Sequence, residues 1–234
     1  PNGRYQEEEI RVQEKIYGLK QKKIINTGYP YIENIKKKVN LNIADGSILF
    51  APSWLNEKND LLEIYGEEII SKLIEIDKVI FRPHPQSLIK SKNKIKIIKD
   101  KYKNNPKFLL NNSIDKIDVL NKSSILITDN GGMAMEYYIL YKRPIICIEY
   151  KDKIHNSEYK KIKDKALEDN FKNIFTKKIN VEDISNLNDL IKNYYKNFSF
   201  KEKILKNFLY ENGIIIDNVA ERSCKGIIDI LKHN

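Results

Sequence analysis

Hydrophobic positions along the chain fall into two patterns. Short runs dense in Ile, Leu, Val and Phe recur at 48–51, 79–81, 108–110, 125–127 and 145–148, each bounded by turn residues. Such runs predict strands buried on both faces. Between them, apolar residues at helical spacing predict helices over 60–74, 88–102, 115–120 and 133–141; in the last, Met133, Tyr137 and Leu140 share one side. Weaker signals suggest a short strand at 23–26 and a sixth sheet strand at 173–176. A charged amphipathic helix at 7–17 precedes the alternation, and helices at 181–195, 200–210 and 217–231 follow it. Strands alternating with helices predict an α/β fold, a Rossmann-like doubly wound parallel sheet.

In the Rossmann strand order 3-2-1-4-5-6, ligands bind beyond the carboxyl ends of the strands, where the order reverses between the first and fourth. Three unusual turns are expected to meet there: Ala51-Pro52-Ser53, Arg82-Pro83-His84-Pro85 and Thr128-Asp129-Asn130-Gly131-Gly132. The paired glycines let a backbone approach a ligand, and the helix after them directs its first N–H groups outward, which suits a phosphate. Two prolines restrict the backbone around His84, as rigid presentation of a phosphate donor or general acid requires. Arg82 either pairs bidentately with a phosphate or holds a neighbouring carboxylate. Asp129 fixes the turn, caps the helix or meets a ribose hydroxyl. Glu136 sits about one helical turn in, as a ligand contact or a surface acid. Trp54, the only tryptophan, reads first as core and second as a stacking surface for a base.

Composition narrows the classes. No apolar run approaches the roughly 20 residues that span a bilayer. The net charge of +10, from 42 basic against 32 acidic residues, favours an anionic partner, although much of the lysine reads as solvated surface. Cys147 and Cys224 form no CxxC pair and read as buried thiols of a reducing compartment. His84, His155 and His233 are too scattered for a zinc site, so no metal is expected. The sequence opens Pro1-Asn2-Gly3 without an initiator Met, as a piece of something longer would. GxGxxG after the first strand, GxxxxGK[ST] and GxSxG are all absent, which argues against a dinucleotide enzyme, a P-loop ATPase and an α/β-hydrolase.

One family carries several of these motifs in the same order. The segment 48–54, ending Ala51-Pro52-Ser53-Trp54, resembles the "APTW" strand-turn of the CDP-glycerol:poly(glycerophosphate) glycerophosphotransferases, the teichoic-acid and capsule polymerase type. Gly28-Tyr29-Pro30 is similar to their upstream "GxP" loop, and Arg82-Pro83-His84-Pro85 to their histidine–proline turn. The acidic turn Thr128 to Gly132, Lys142-Arg143-Pro144, and Asn212-Gly213 with Ala220-Glu221-Arg222 also stand where that family has counterparts. The chain departs from the pattern at Asn130-Gly131-Gly132, where the family has a serine pair. An Asp-Ser-Gly-Gly turn followed by Glu is typical of UDP-GlcNAc 2-epimerases, which share the fold.

The resemblance implies a GT-B enzyme. Residues 31–234 would be its C-terminal, donor-nucleotide-binding domain and 1–30 the tail of a preceding domain or a linker, with the family's other catalytic histidine outside this chain. It implies transfer of glycerol phosphate from CDP-glycerol or a related CDP-alditol to a cell-surface glycan or polymer, lipid-linked acceptors included. His84 would be catalytic. Arg82, Ser53, Thr128, Asp129, Asn130, Gly131, Gly132, Glu136, Glu221 and Arg222 would serve the nucleotide and its phosphates. No cofactor is implied beyond the donor, and nucleic acid is not an expected partner. The implied location is the cytoplasm, with peripheral association at the inner membrane face. A UDP-sugar enzyme of the same fold remains the alternative, and a non-catalytic basic module binding an anionic polymer the third.

Overall fold

The computed structural model describes residues 1–55, 59–151, 158–162 and 166–232 of the chain. His155, His233 and part of the Lys-rich stretch 151–165 lie outside the described residues. The chain divides into two compact units, one of Asn40–His155 with Glu168–Phe200, the other of Pro1–Val39, Asn156–Leu167 and Lys201–Asn234.

The first of these holds the sheet. Its strands are β1 (Ile48–Phe50), β2 (Val79–Phe81), β3 (Phe108–Leu110), β4 (Ile125–Thr128), β5 (Ile145–Glu149) and β6 (Lys177–Asn180). They lie in the order β3-β2-β1-β4-β5-β6, and every neighbouring pair is parallel. The doubly wound α/β fold read from the alternation is therefore present, with its strand order. The reversal falls between β1 and β4, which pair with Ile48 opposite Ile125 and Phe50 opposite Ile127.

Burial follows position in the sheet. All residues of β1, β2 and β4 are buried, since helices cover both faces. The outer strand β6 exposes Lys177 and Lys178, charges that discourage pairing with a further strand. The helix Leu61–Ile76 begins at Asp60, whose carboxylate accepts the Glu63 N–H at 3.0 Å. Its Leu62, Ile69, Ile70 and Leu73 are fully buried in the same core as the Phe50–Phe81 stack, ring centroids 5.7 Å apart. Truncating any one of them to Ala would cost about 2–5 kcal/mol. The helix Met133–Tyr141 is buried nearly all round, with Tyr138 surrounded by Phe171, Phe175, Phe198 and Phe200 at centroid distances of 5.0 to 6.3 Å. That packing fixes the direction of its N-terminus.

The second unit is helical, with Arg4–Ile16, Pro30–Lys36, Glu202–Glu211 and Val219–Lys232 as its longer helices. Gly28 has φ +106, and a Cβ there would lie 2.5 Å from the Ile215 carbonyl oxygen, so the Gly28-Tyr29-Pro30 loop needs glycine to dock on that backbone. Tyr29 N–H donates to the same carbonyl at 2.8 Å. Glu33 accepts the N–H groups of Val219 and Ala220 at 2.9 and 3.2 Å, capping the last helix. Among the described residues no helix is long and apolar enough to cross a membrane.

Several boundaries differ from the sequence reading. Residues 23–26 form no strand; Ile25 instead packs onto Gly226 of the last helix, where a Cβ would sit 2.4 Å from it. The helix expected over 88–102 is two, Pro85–Lys90 and Lys92–Tyr102, broken at Ser91. Residues 173–176 mostly end the helix Leu167–Phe175, whose Leu167, Phe171 and Phe175 make an i, i+4, i+8 stripe, and the strand comes just after as β6. The 181–195 helix opens with a 3₁₀ segment, Val181–Asn186, before Leu187–Asn197.

Candidate functional site

The site is built where β1, β2 and β4 end. Two bonds hold the β1 and β4 exits together. The Thr128 hydroxyl donates to the Ala51 carbonyl at 2.7 Å, and the Asp129 carboxylate accepts the Ser53 N–H at 2.6 Å. Both side chains are buried, Thr128 at 0% and Asp129 at 4% exposure, so these bonds are shielded from water. Asp129 is thus the fixer of the turn rather than the cap of the following helix, which no side chain caps. Beneath it the Cys147 thiol donates to the Asp129 carbonyl at 3.0 Å, and burial pushes that thiol up to about 12. Cys224, expected to be buried as well, is exposed on the last helix.

Asn130 is engaged as well. Its amide NH₂ donates to the Lys151 carbonyl and its Oδ1 accepts from Lys172 Nζ at 2.5 Å, while Lys172 also pairs with Asp169 at 2.9 Å. Thr128, Asp129 and Asn130 therefore brace the turn with their side chains. What this turn offers a ligand is backbone. Gly131 and Gly132 do not need glycine for the protein's own packing. A Cβ at Gly131 would make ordinary contacts, 3.7 Å to Thr128 Oγ1 and 3.8 Å to Ser53 Cβ, and one at Gly132 would meet nothing within 4 Å. The first N–H groups of Met133–Tyr141 have no acceptor inside the helix. Beside Gly131, the buried Ser53 hydroxyl has no hydrogen-bond partner among the described residues. A buried polar group left so costs about 1–3 kcal/mol. Glu136, one turn along, forms a half-buried ion pair with Lys116 at 2.6 Å.

The β2 exit is made differently. His84 caps Pro85–Lys90, its Nδ1 accepting the Gln86 N–H at 3.1 Å, with Pro85 at the first helical position. Its half-buried ring stacks on Trp54, with centroids 6.2 Å apart and planes at 19°. Lys90 Nζ lies 4.9 Å from the centre of the Trp54 ring. Trp54, read first as core, is instead half-buried and part of this cluster; the core beneath it is filled by Phe50 and Phe81 of the strands themselves. Arg82 donates through one guanidinium nitrogen to the Asn111 side chain and to the Ser113 carbonyl at 2.9 Å, bracing the loop after β3. Of the two partners expected for it, these bonds supply neither a phosphate nor a carboxylate.

Eight of the expected site residues thus lie at the strand exits and turns of the sheet unit, and Glu136 lies in the helix Met133–Tyr141 that follows. Glu221 and Arg222 belong to the helical unit, where with Asn26, Asn218, Lys225 and Asp229 they line a pocket of about 440 Å³. Trp54 and Gln86 as partners of His84 were not foreseen as such. The signal available was proximity: Trp54 follows the β1 turn by one residue, and β1 and β2 were expected to be neighbours.

Comparison with known proteins agrees with this architecture. A protein described as a UDP-N-acetylglucosamine 2-epimerase from Listeria monocytogenes superposes with a TM-score of 0.54 at 18% identity, over 95% of this chain and 58% of that one. The wall teichoic acid polymerase TagF superposes with a TM-score of 0.51, at 20% identity when soaked with CDPG and 18% in a second structure, over 99% of this chain and 56–57% of TagF. At such identities the likeness is one of fold, that of GT-B glycosyltransferases and epimerases, and the chain spans less than three fifths of these proteins' length. No curated protein sequence matches it. The sequence profile of one family does, across residues 5–212, and it includes both strand-exit turns and their interlocking bonds. By that match the chain belongs to the CDP-Glycerol:Poly(glycerophosphate) glycerophosphotransferase family.

Proposed function

We propose that the chain binds the donor nucleotide of a CDP-alditol phosphotransferase, with CDP-glycerol as donor and a hydroxyl of a cell-surface glycan or teichoic-acid-like polymer as acceptor. The observation that carries this reading is the meeting, at the switch point, of the buried Ser53 hydroxyl, unpartnered among the described residues, with the helix behind Gly131 and Gly132, whose N-terminus no described side chain caps. A diphosphate satisfies both, accepting from backbone N–H groups and from the hydroxyl.

In the reaction the acceptor oxygen attacks the β-phosphorus, the bond to the bridging oxygen breaks, and CMP leaves with that electron pair. The acceptor proton passes to a base on the acceptor side. Charge building on the phosphates is met by donors fixed before the reaction, the helix N-terminus and His84. Thr128, Asp129 and Asn130 act by holding the turn in shape. Arg82 and Glu136 support the walls of the site. Residues 31–234 then form the donor-binding domain, working at the inner face of the cytoplasmic membrane.

A UDP-sugar enzyme is the second reading, favoured by the 2-epimerase fold match and by the glycine turn followed by Glu136. Thermal shift across CDP-glycerol, CDP-ribitol, CMP and UDP-GlcNAc separates the two. A cytidine ligand at 100 times its dissociation constant should add about 2.7 kcal/mol of stability. Stabilisation by UDP-GlcNAc alone would overturn the first reading in favour of the second.

A further inference from the structure

We infer that Trp54 and the Gln86 N–H hold His84 as a neutral hydrogen-bond donor, so that it orients a phosphate oxygen through Nε2–H and transfers no proton. The inference rests on the donor-binding reading above and decides between the two chemical roles open to that histidine. A ring nitrogen that accepts a backbone N–H cannot itself carry a proton. The 3.1 Å bond from Gln86 N–H to Nδ1 therefore fixes the neutral tautomer with its hydrogen on Nε2. Forming the imidazolium would break that bond and uncap the helix Pro85–Lys90.

Trp54 supplies the second constraint. Its ring lies nearly parallel to the imidazole, with centroids 6.2 Å apart and 19° between planes, and packs along one side of His84. Pro83 and Pro85 restrict the backbone on either side, so the direction of Nε2 is set by ring packing and one hydrogen bond. Trp54 is thus a positioning residue that acts through His84.

The chemistry of the leaving group agrees. CMP is expelled as a phosphate monoester, whose second pKa is about 6. At neutral pH it leaves carrying its charge and needs no proton. A general acid would contribute little at that oxygen, whereas a neutral donor of fixed direction stabilises charge throughout the transfer. The atoms balance without His84: the acceptor's proton goes to the acceptor-side base and the bridging electron pair to CMP.

The test begins with ¹⁵N–¹H correlation of the imidazole nitrogens in the intact chain, with His84 assigned by difference against His84→Gln. One Nε2–H tautomer is expected at neutral pH. An Nδ1–H tautomer or an imidazolium there would overturn the inference, whether or not any nucleotide is turned over. Trp54→Ala should give averaged nitrogen signals. In an active enzyme containing this chain it should lower kcat about 10- to 100-fold, the usual consequence of a misdirected group, with KM changed by less than about threefold. Trp54→Phe should restore both. A Trp54→Ala protein that keeps one tautomer and full kcat, or that loses only KM, would sink the positioning role. Correct tautomers with no activity on any CDP-alditol would instead remove the proposed function.

Discussion

The turns after β4 and after β2 stand at the same edge of one sheet, yet they are built on opposite principles. In the β4 turn the side chains of Thr128, Asp129 and Asn130 brace the protein, and the backbone of the glycines is left toward the crevice. In the β2 turn two prolines immobilise the backbone, and the side chain of His84 is displayed against Trp54. A backbone donor cannot be exchanged by mutation but can be obstructed. A displayed side chain can be deleted outright. The two turns should therefore fail in different ways when altered.

The largest effect is expected at the displayed side chain. In an active enzyme containing this chain, His84→Ala should lower kcat about 100- to 1000-fold, the range for losing one fixed donor to a charged transition state. Its stability should fall by only about 1 kcal/mol, for the lost helix cap. Steady-state kinetics beside thermal melts would check this; a large drop in melting temperature with normal specific activity would make the β2 turn structural.

Next comes the bracing of the β4 turn. Asp129→Ala leaves the Ser53 N–H buried without its acceptor and should cost about 1–3 kcal/mol, read from urea unfolding. Asp129→Asn keeps an acceptor and should cost less. If Asp129→Ala is as stable as the parent and loses only nucleotide affinity, Asp129 is a ligand contact and the comparison between the turns narrows.

A smaller effect is expected from obstruction. Gly131→Val should leave the melting temperature nearly unchanged, because the added Cβ meets only ordinary contacts and φ there is not positive. It should nonetheless weaken CDP binding at least about tenfold, or about 1.4 kcal/mol, by calorimetry. Unchanged affinity would mean that no ligand approaches that backbone.

The last effect is global rather than local to either turn, and concerns pH. Burial raises Cys147 from an ordinary 9.0 to about 12 and Tyr137 from 10.0 to about 12. From about pH 9 upward the unfolded chain loses these protons while the folded chain keeps them. The folded state then binds more protons, so stability should decline between pH 9 and pH 12. Urea unfolding at about pH 8 and pH 10.5 would show it, and Cys147→Ala should flatten part of the slope.

What the sequence disclosed follows from where the decisive information lies. Buried strands such as Ile48–Phe50 and Ile125–Thr128 announce themselves as runs of apolar β-branched and aromatic residues, whereas the strand order comes from the fold class, since crossover handedness alone fits more than one order. Edge strand β6 did not, because Lys177 and Lys178 give it no apolar run. Ser91 broke a helix that its apolar spacing continued. At the site, the paired glycines and the proline-flanked His84 were legible because backbone restraint is written in residue type. The partners of Asp129 and Trp54 were not, since a bond between positions 76 apart leaves no local mark.

The separation of β1 from β4 has a consequence for how the molecule is made. Thr128 and Ala51 are 77 positions apart, and their bond closes a loop that contains β2, β3 and the intervening helices. Parallel pairing of this range carries a large loop-closure entropy and is slow to nucleate. During synthesis β1 and β2 emerge well before β4, so their apolar edges wait for the strand that completes the crevice. The candidate site needs both strand exits in place, so a nucleotide that binds there should act on the completed sheet by slowing its unfolding, with little influence on how fast the sheet first forms.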